Sequence, residues 1–215
     1  MLPVKICCIQ DEAEARLAIE HGARALGLVS EMPSGWGPIP DERIREIAAT
    51  VPPFVSTVLL SARSTVPGVI EHVEACGCDT LQLVDDFPLS GYDFLRERFG
   101  SLRILKAVLV TGEESIQAAR DLAPLVDAVL LDTGDPTADV KVLGGTGRTH
   151  DWSISRRIVE ALAPRDVVLA GGLKPDNVAE AVRRVRPYAL DLCTGVRTDG
   201  ALDPAKLAAF FAALS

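Results

Sequence analysis

The sequence predicts a (β/α)8 TIM barrel, as a single domain over residues 1–215, and three observations point to it. First, one spelling recurs: AIEHGARALGLV, VEACGCDTLQLV, LAPLVDAVLLD and VRRVRPYALDLC each run from a helical pattern through a short break into an apolar run. Second, those runs are nearly continuous in Val, Leu, Ile and Ala rather than alternating with polar residues, as parallel strands buried on both faces require. Third, about eight such units fill the chain with no linker or low-complexity segment between them, and α/β barrels of this length often form one domain.

In order, the strands are VKIC, ALGLV, FVSTVLL, TLQLV, RILKAVLV, AVLLD, DVVLA and ALDLC, each too short for a helix and bounded by Gly, Asp or Pro. The first is followed by EAEARLAIEHG, where Ala15, Ala18 and Ile19 share a face with Ala23 nearby. Later helices are opened by Pro40-Asp41-Glu42, Glu113-Glu114-Ser115, Pro175-Asp176-Asn177 and Asp203-Pro204. The helix after the fourth strand, around Tyr92 to Phe99, has the weakest pattern. The rival architecture is an open doubly wound sheet, but no G-x-G-x-x-G follows the first strand, which disfavours its dinucleotide-binding form. In a closed barrel, active sites occupy the loops after the strands.

Composition narrows the function. The chain is 48% hydrophobic and 24% charged, with a formal net charge of -8 and a sequence pI near 4.9. It has no basic surplus to follow a phosphate backbone, so a nucleic-acid partner is not expected. No apolar run is long enough for a bilayer and no leader pattern opens the chain, so the expectation is no membrane partner and a cytoplasmic protein. Five cysteines, Cys7, Cys8, Cys76, Cys78 and Cys193, do not make a disulfide scaffold at this length. Cys76-Gly-Cys78 lacks the second Cys or His cluster of a zinc site, so no metal is expected.

Glycine-rich segments follow strands six, seven and eight: LGGTGRTHDW, LAGGLKPDN and LCTGVRTDG. Glycine lets backbone N–H groups approach an anion closely, and barrels often bind phosphate on the loops after strands seven and eight. The expected donors are the backbones of Gly145, Thr146, Gly147, Gly171, Gly172, Gly195 and Val196. The partner they imply is a phosphorylated small molecule.

KICxI, the LLD that ends strand six, GGTGRTHDW, LAGGLKPDNVAEAV and VRPYALDLCTGV resemble, in order and over essentially the whole chain, the phosphoribosylanthranilate isomerase family of tryptophan biosynthesis. The resemblance implies an Amadori rearrangement of an aminoaldose phosphate to an aminoketose phosphate, without cofactor or metal, by a monomer or homodimer. It places the general base on Cys7 and the general acid on Asp132. The chemistry suits them: an acid opens the furanose ring to a Schiff base, and a base removes the C2 proton. Lys5, two residues before Cys7 and expected on the same strand face, would supply positive potential to a thiolate. By the same alternation Ile6 and Cys8 should turn away, leaving Cys8 without a catalytic role.

The resemblance fails at the aglycone end. SEMPSGWGPIPDER, after strand two, lacks the family's carboxylate-binding arginine and offers Trp36 instead. After strand three, LLSARST places Arg63 at a strand end, where it could meet a substrate carboxylate. After strand four, Val84-Asp85-Asp86 replaces a histidine, and an acidic pair there would repel a second phosphate. An alternative is therefore a relative that acts on another phosphorylated aminosugar, or that binds a sugar phosphate without this activity.

Overall fold

The computed structural model describes residues 2–33, 37–134, 141–144 and 147–214. Its strands β1 (Val4–Ile6), β2 (Ala25–Val29), β3 (Ser56–Ser61), β4 (Thr80–Leu83), β5 (Arg103–Leu109), β6 (Ala128–Asp132), β7 (Asp166–Leu169) and β8 (Ala189–Leu192) pair in sequence order and close into a barrel. All eight predicted runs contain a strand. Closure is made by β1 against β8, parallel, with Val4, Lys5 and Ile6 opposite Leu190, Asp191 and Leu192.

Each strand is followed by a helix: α1 (Glu12–Glu20), α2 (Asp41–Thr50), α3 (Val66–Cys76), α4 (Gly91–Arg98), α5 (Glu114–Leu122), α6 (Trp152–Leu162), α7 (Val178–Val185) and α8 (Pro204–Ala212). The helix starts read from acidic and proline signals fall within a few residues of these bounds. Side chains supply several of the caps: Asp11 accepts from the Glu14 N–H, Asp151 from that of Ser153, and Asp203 from those of Ala205 and Lys206. Ala15 and Ala18 of α1 are buried, as the helical spacing predicts. No helix among the described residues is long and apolar enough to cross a membrane.

Strand alternation divides the apolar residues into two layers. Leu26, Leu28, Leu81, Leu83 and Leu131 face the helices in the larger cluster. Cys7, Val58, Leu60, Ala107, Leu130 and Val168 fill the barrel interior. Ser56 and Thr80 meet inside the barrel at the amino ends of β3 and β4, and a second set of inward polar groups serves the opposite end. Lys5 of β1, Gln82 of β4, Asp132 of β6 and Asp191 of β8 all lie on the inward register of their strands.

Candidate active site

A cavity opens at the carboxyl ends of the strands. Cys7 and Asp132 both line it, brought there from just past the end of β1 and from the end of β6, which lies three strands away around the closed barrel. Beneath them Lys5, 5% exposed, lies inside the barrel. Its Nζ donates to Asp191 Oδ2 at 2.9 Å and to Gln82 Oε1 at 2.8 Å, and stands 3.6 Å from Cys7 Sγ. Burial pulls the lysine toward neutrality, but the carboxylate of Asp191 and the neighbouring thiols outweigh it and hold the ammonium charged. Lys5 thus reaches Cys7 as expected. It acts from below the cavity floor, fully engaged with protein groups, rather than as a lining residue.

Asp132 is the second perturbed group. Burial pushes its carboxyl up from 3.8 to about 7; Asp191 reinforces the rise, while the Thr133 N–H and Lys5 oppose it. Oδ1 accepts from the Thr133 N–H at 2.7 Å. A Cβ at Gly144, whose φ is +122°, would fall 2.2 Å from Oδ2. The loop after β6 therefore lies directly on the carboxyl, and only glycine fits at that position. Asp191 adds an orphan acceptor: its Oδ1 is buried without a donor among the described residues, in the wall of the same cavity.

Gly147, Gly171 and Gly172 line the cavity, together with Leu173 and Thr194. Gly172 (φ +63°) presses so closely on the Arg148–Thr149 backbone that a Cβ would fall 2.5 Å from the Arg148 carbonyl carbon. The loops after β6, β7 and β8 are thus packed against one another at one side of the mouth. Gly195 belongs to the same contact, against the Leu173 carbonyl. Val196 is different: its side chain is buried and its N–H turns back to the Cys193 carbonyl at 3.4 Å. Gly145, Thr146 and Trp36 lie outside the described residues.

Two expectations need correction. Cys8 does not turn away; it lines the cavity beside Cys7. The alternation rule fails because β1 ends at Ile6 and Cys8 takes a left-handed backbone, φ 63°. Arg197 stabilises that turn, donating to the Cys8 carbonyl at 2.6 Å while it pairs with Glu14. Hydrogen bonding to Cys193 and Cys7 pushes the Cys8 thiol up, and the same contact with Cys8, helped by Arg197, lowers Cys193. Arg63 is the other case. It lies 3.2 Å from Asp41 Oδ2 and lines a second cavity with Ser30, Asp41 and His72, apart from Cys7 and Asp132. Its position at the end of β3 was legible, but its partner comes from α2, which sequence spacing cannot pair.

Sequence reasoning assigned no role to Gln82, Asp191 or His150. His150 hydrogen-bonds Thr133 Oγ1 at 3.0 Å and Ser155 Oγ at 2.7 Å, bracing the loop after β6. Burial lowers it to about 4, against the pull of Asp151, so it is a neutral strut near pH 7. The alternating register of ALDLC was the one available signal for Asp191.

Residues 4–213 match the family model described as N-(5'-phosphoribosyl)anthranilate (PRA) isomerase. An N-(5'-phosphoribosyl)anthranilate isomerase from Haloferax volcanii is 41% identical over 216 residues, covering 99% of this chain and 93% of the relative. Among solved structures, a phosphoribosylanthranilate isomerase in complex with reduced 1-(o-carboxyphenylamino)-1-deoxyribulose 5-phosphate superposes with a TM-score of 0.81 at 29% identity, over 98% of this chain and 97% of that one. Monomers of a dimeric phosphoribosylanthranilate isomerase from Thermotoga maritima give a TM-score of 0.81 at 27% identity, over 99% and 98% of the two chains.

Proposed function

The chain belongs to the phosphoribosylanthranilate isomerase family, and from that premise we propose how its own residues divide the rearrangement of N-(5'-phosphoribosyl)anthranilate, the family's step in tryptophan biosynthesis. Asp132 is the general acid. With its carboxyl raised to about 7, a large fraction is protonated near neutral pH and can donate to the furanose ring oxygen. The ring C–O bond breaks, the anthranilate nitrogen supplies its electron pair to C1, and a Schiff base forms. Cys7, as thiolate, then takes the C2 proton. The electrons left at C2 flow to the iminium nitrogen, giving an enolamine that tautomerises to the aminoketose.

Lys5, 3.6 Å from Cys7 Sγ, stabilises the thiolate by charge without touching substrate. Asp191 Oδ1, an open acceptor in the cavity wall, suits a sugar hydroxyl. The phosphate is assigned to the backbone of the loops after β6, β7 and β8, at Gly147, Gly171, Gly172 and Gly195, continuing through Gly145 and Thr146. Val29, Met32, Leu60 and Val84 offer the anthranilate ring an apolar wall. No Lys or Arg lines the cavity among the described residues, so Arg63 is not assigned to the aglycone carboxylate. The working form is placed as a monomer or homodimer.

The observation that carries these roles is the meeting of Cys7, Asp132 and the glycine loops around one cavity. Loss of anthranilate-type fluorescence on turnover tests it. Cys7→Ala should lose at least ~100-fold in kcat, the scale of a missing acid–base group, while still binding inorganic phosphate. Wild-type turnover in that variant would remove Cys7 from the mechanism.

A further inference from the structure

A second set of side chains gathers beyond the catalytic cavity, between α2 and α3. His72 and Cys76 stand four residues apart on α3 and so project from one face of it. Asp41, the first residue of α2, faces them. A carboxylate oxygen of Asp41, an imidazole nitrogen of His72 and Cys76 Sγ all lie within 4.8 Å of one another. His72 is 1% exposed and Cys76 is fully buried. Cys78, which sequence pairs with Cys76, is set apart by the left-handed Gly77 cap that ends α3.

We propose that Asp41, His72 and Cys76 form a binding site for a thiophilic divalent cation of the zinc class, with a fourth position open to the neighbouring cavity. Thiolate, imidazole and carboxylate together make a zinc-type ligand set, and three protein ligands with one open position is a known zinc arrangement. Zn–N and Zn–O bonds of ~2.0–2.1 Å at a tetrahedral centre place N and O about 3.3 Å apart. His72 Nε2 stands 3.3 Å from Asp41 Oδ1. The outer partners are also in place. Ser61 Oγ lies 2.8 Å from His72 Nδ1, which directs Nε2 into the cluster, and Arg63 holds Asp41 Oδ2, leaving Oδ1 to the ion. Ser30 Oγ, 2.6 Å from Oδ1, sits on the wall of the cavity that would admit the ion and its water.

Charge balances on binding. Cys76 releases its thiol proton to solvent, and thiolate plus carboxylate neutralise the dication, with Arg63 and Glu42 flanking as a cation and an anion. No electron transfer is involved. The bound ion would clip α2 to α3 beside the barrel mouth.

Cobalt(II) titration of the chelator-stripped full chain tests the proposal. One equivalent should produce a thiolate-to-cobalt charge-transfer band, zinc should displace it, and one equivalent of zinc should raise the melting temperature. Cys76→Ser should abolish the band and His72→Gln should weaken binding at least ~10-fold. Circular dichroism checks that both variants fold. Cys78→Ser and Cys193→Ser should keep the band. A wild-type protein with no thiolate band overturns the proposal whatever the variants do. So does a band that survives Cys76→Ser, or one lost with Cys193→Ser, which would place the metal among the catalytic-cavity thiols.

Discussion

Replacing Asp132 with Asn should remove activity and stabilise the fold, with the stabilisation confined to higher pH. The carboxyl is raised from 3.8 to about 7, chiefly by burial. A shift of about three units at ~1.36 kcal/mol each is a penalty of about 4 kcal/mol once the group is ionised, an upper figure because the cavity admits water. The sign follows from proton counting. Between pH 4 and 7 the folded protein holds this proton while the unfolded chain has lost it, so wild-type stability falls as pH rises through that window. Below pH 4 both states are protonated and the penalty is absent; above 7 it is complete. Asn keeps an oxygen for the Thr133 N–H and has no charge to bury. At a urea slope of ~3 kcal/mol/M, the variant's midpoint should exceed wild type by about 1 M at pH 8 and coincide with it at pH 4. The same shift governs turnover. At pH 7 an ordinary aspartate is protonated in roughly one molecule in 1,600, whereas this one is protonated in about half. Wild-type kcat should therefore decline about tenfold per pH unit above 7. Urea melts of both proteins at pH 4 and 8, with fluorescence turnover, read both effects. Equal midpoints at the two pH values would refute the buried, protonated carboxyl.

Gly172→Ala should raise KM at least ~10-fold with kcat nearly kept, because a Cβ would strike the Arg148 backbone and the φ of +63° costs ~1–2 kcal/mol for a non-glycine. An unchanged KM in steady-state assays would remove that loop from the phosphate site. Arg63→Ala should change KM less than about threefold, since its guanidinium is held by Asp41 at an exposed site where ion pairs contribute ~0–1 kcal/mol. A rise of tenfold or more would return the aglycone carboxylate to Arg63.

The strands were legible because parallel barrel strands are buried on both sides and their apolar runs stand out between helices of mixed polarity. Asp132 was legible as a carboxylate ending one such run. Cys8 was misplaced because alternation holds only within a strand, and Arg197, which shapes the turn, is far away in sequence. Arg63 was located but not partnered. The His72–Cys76 spacing was visible on α3, but it acquires meaning only when the barrel brings up Asp41 from a different βα unit. Asp191 and Gln82 read as strand filler until closure turns them inward toward Lys5. What sequence could not supply was in each case a long-range contact.

The pairing of β1 with β8 has a consequence in time. Cys7 stands near the start of the chain, yet its N–H is held by the Leu192 carbonyl at 2.8 Å, and the lysine beside it is ion-paired with Asp191. A nascent chain therefore carries the proposed base through nearly all of synthesis without the strand that aims it. Bringing these distant segments together is also the slowest kind of contact for a folding chain to make. The geometry at Cys7 is completed by the last barrel strand to be made, so a chain cut short of β8 keeps the cysteine but not the Leu192 and Asp191 contacts that position it.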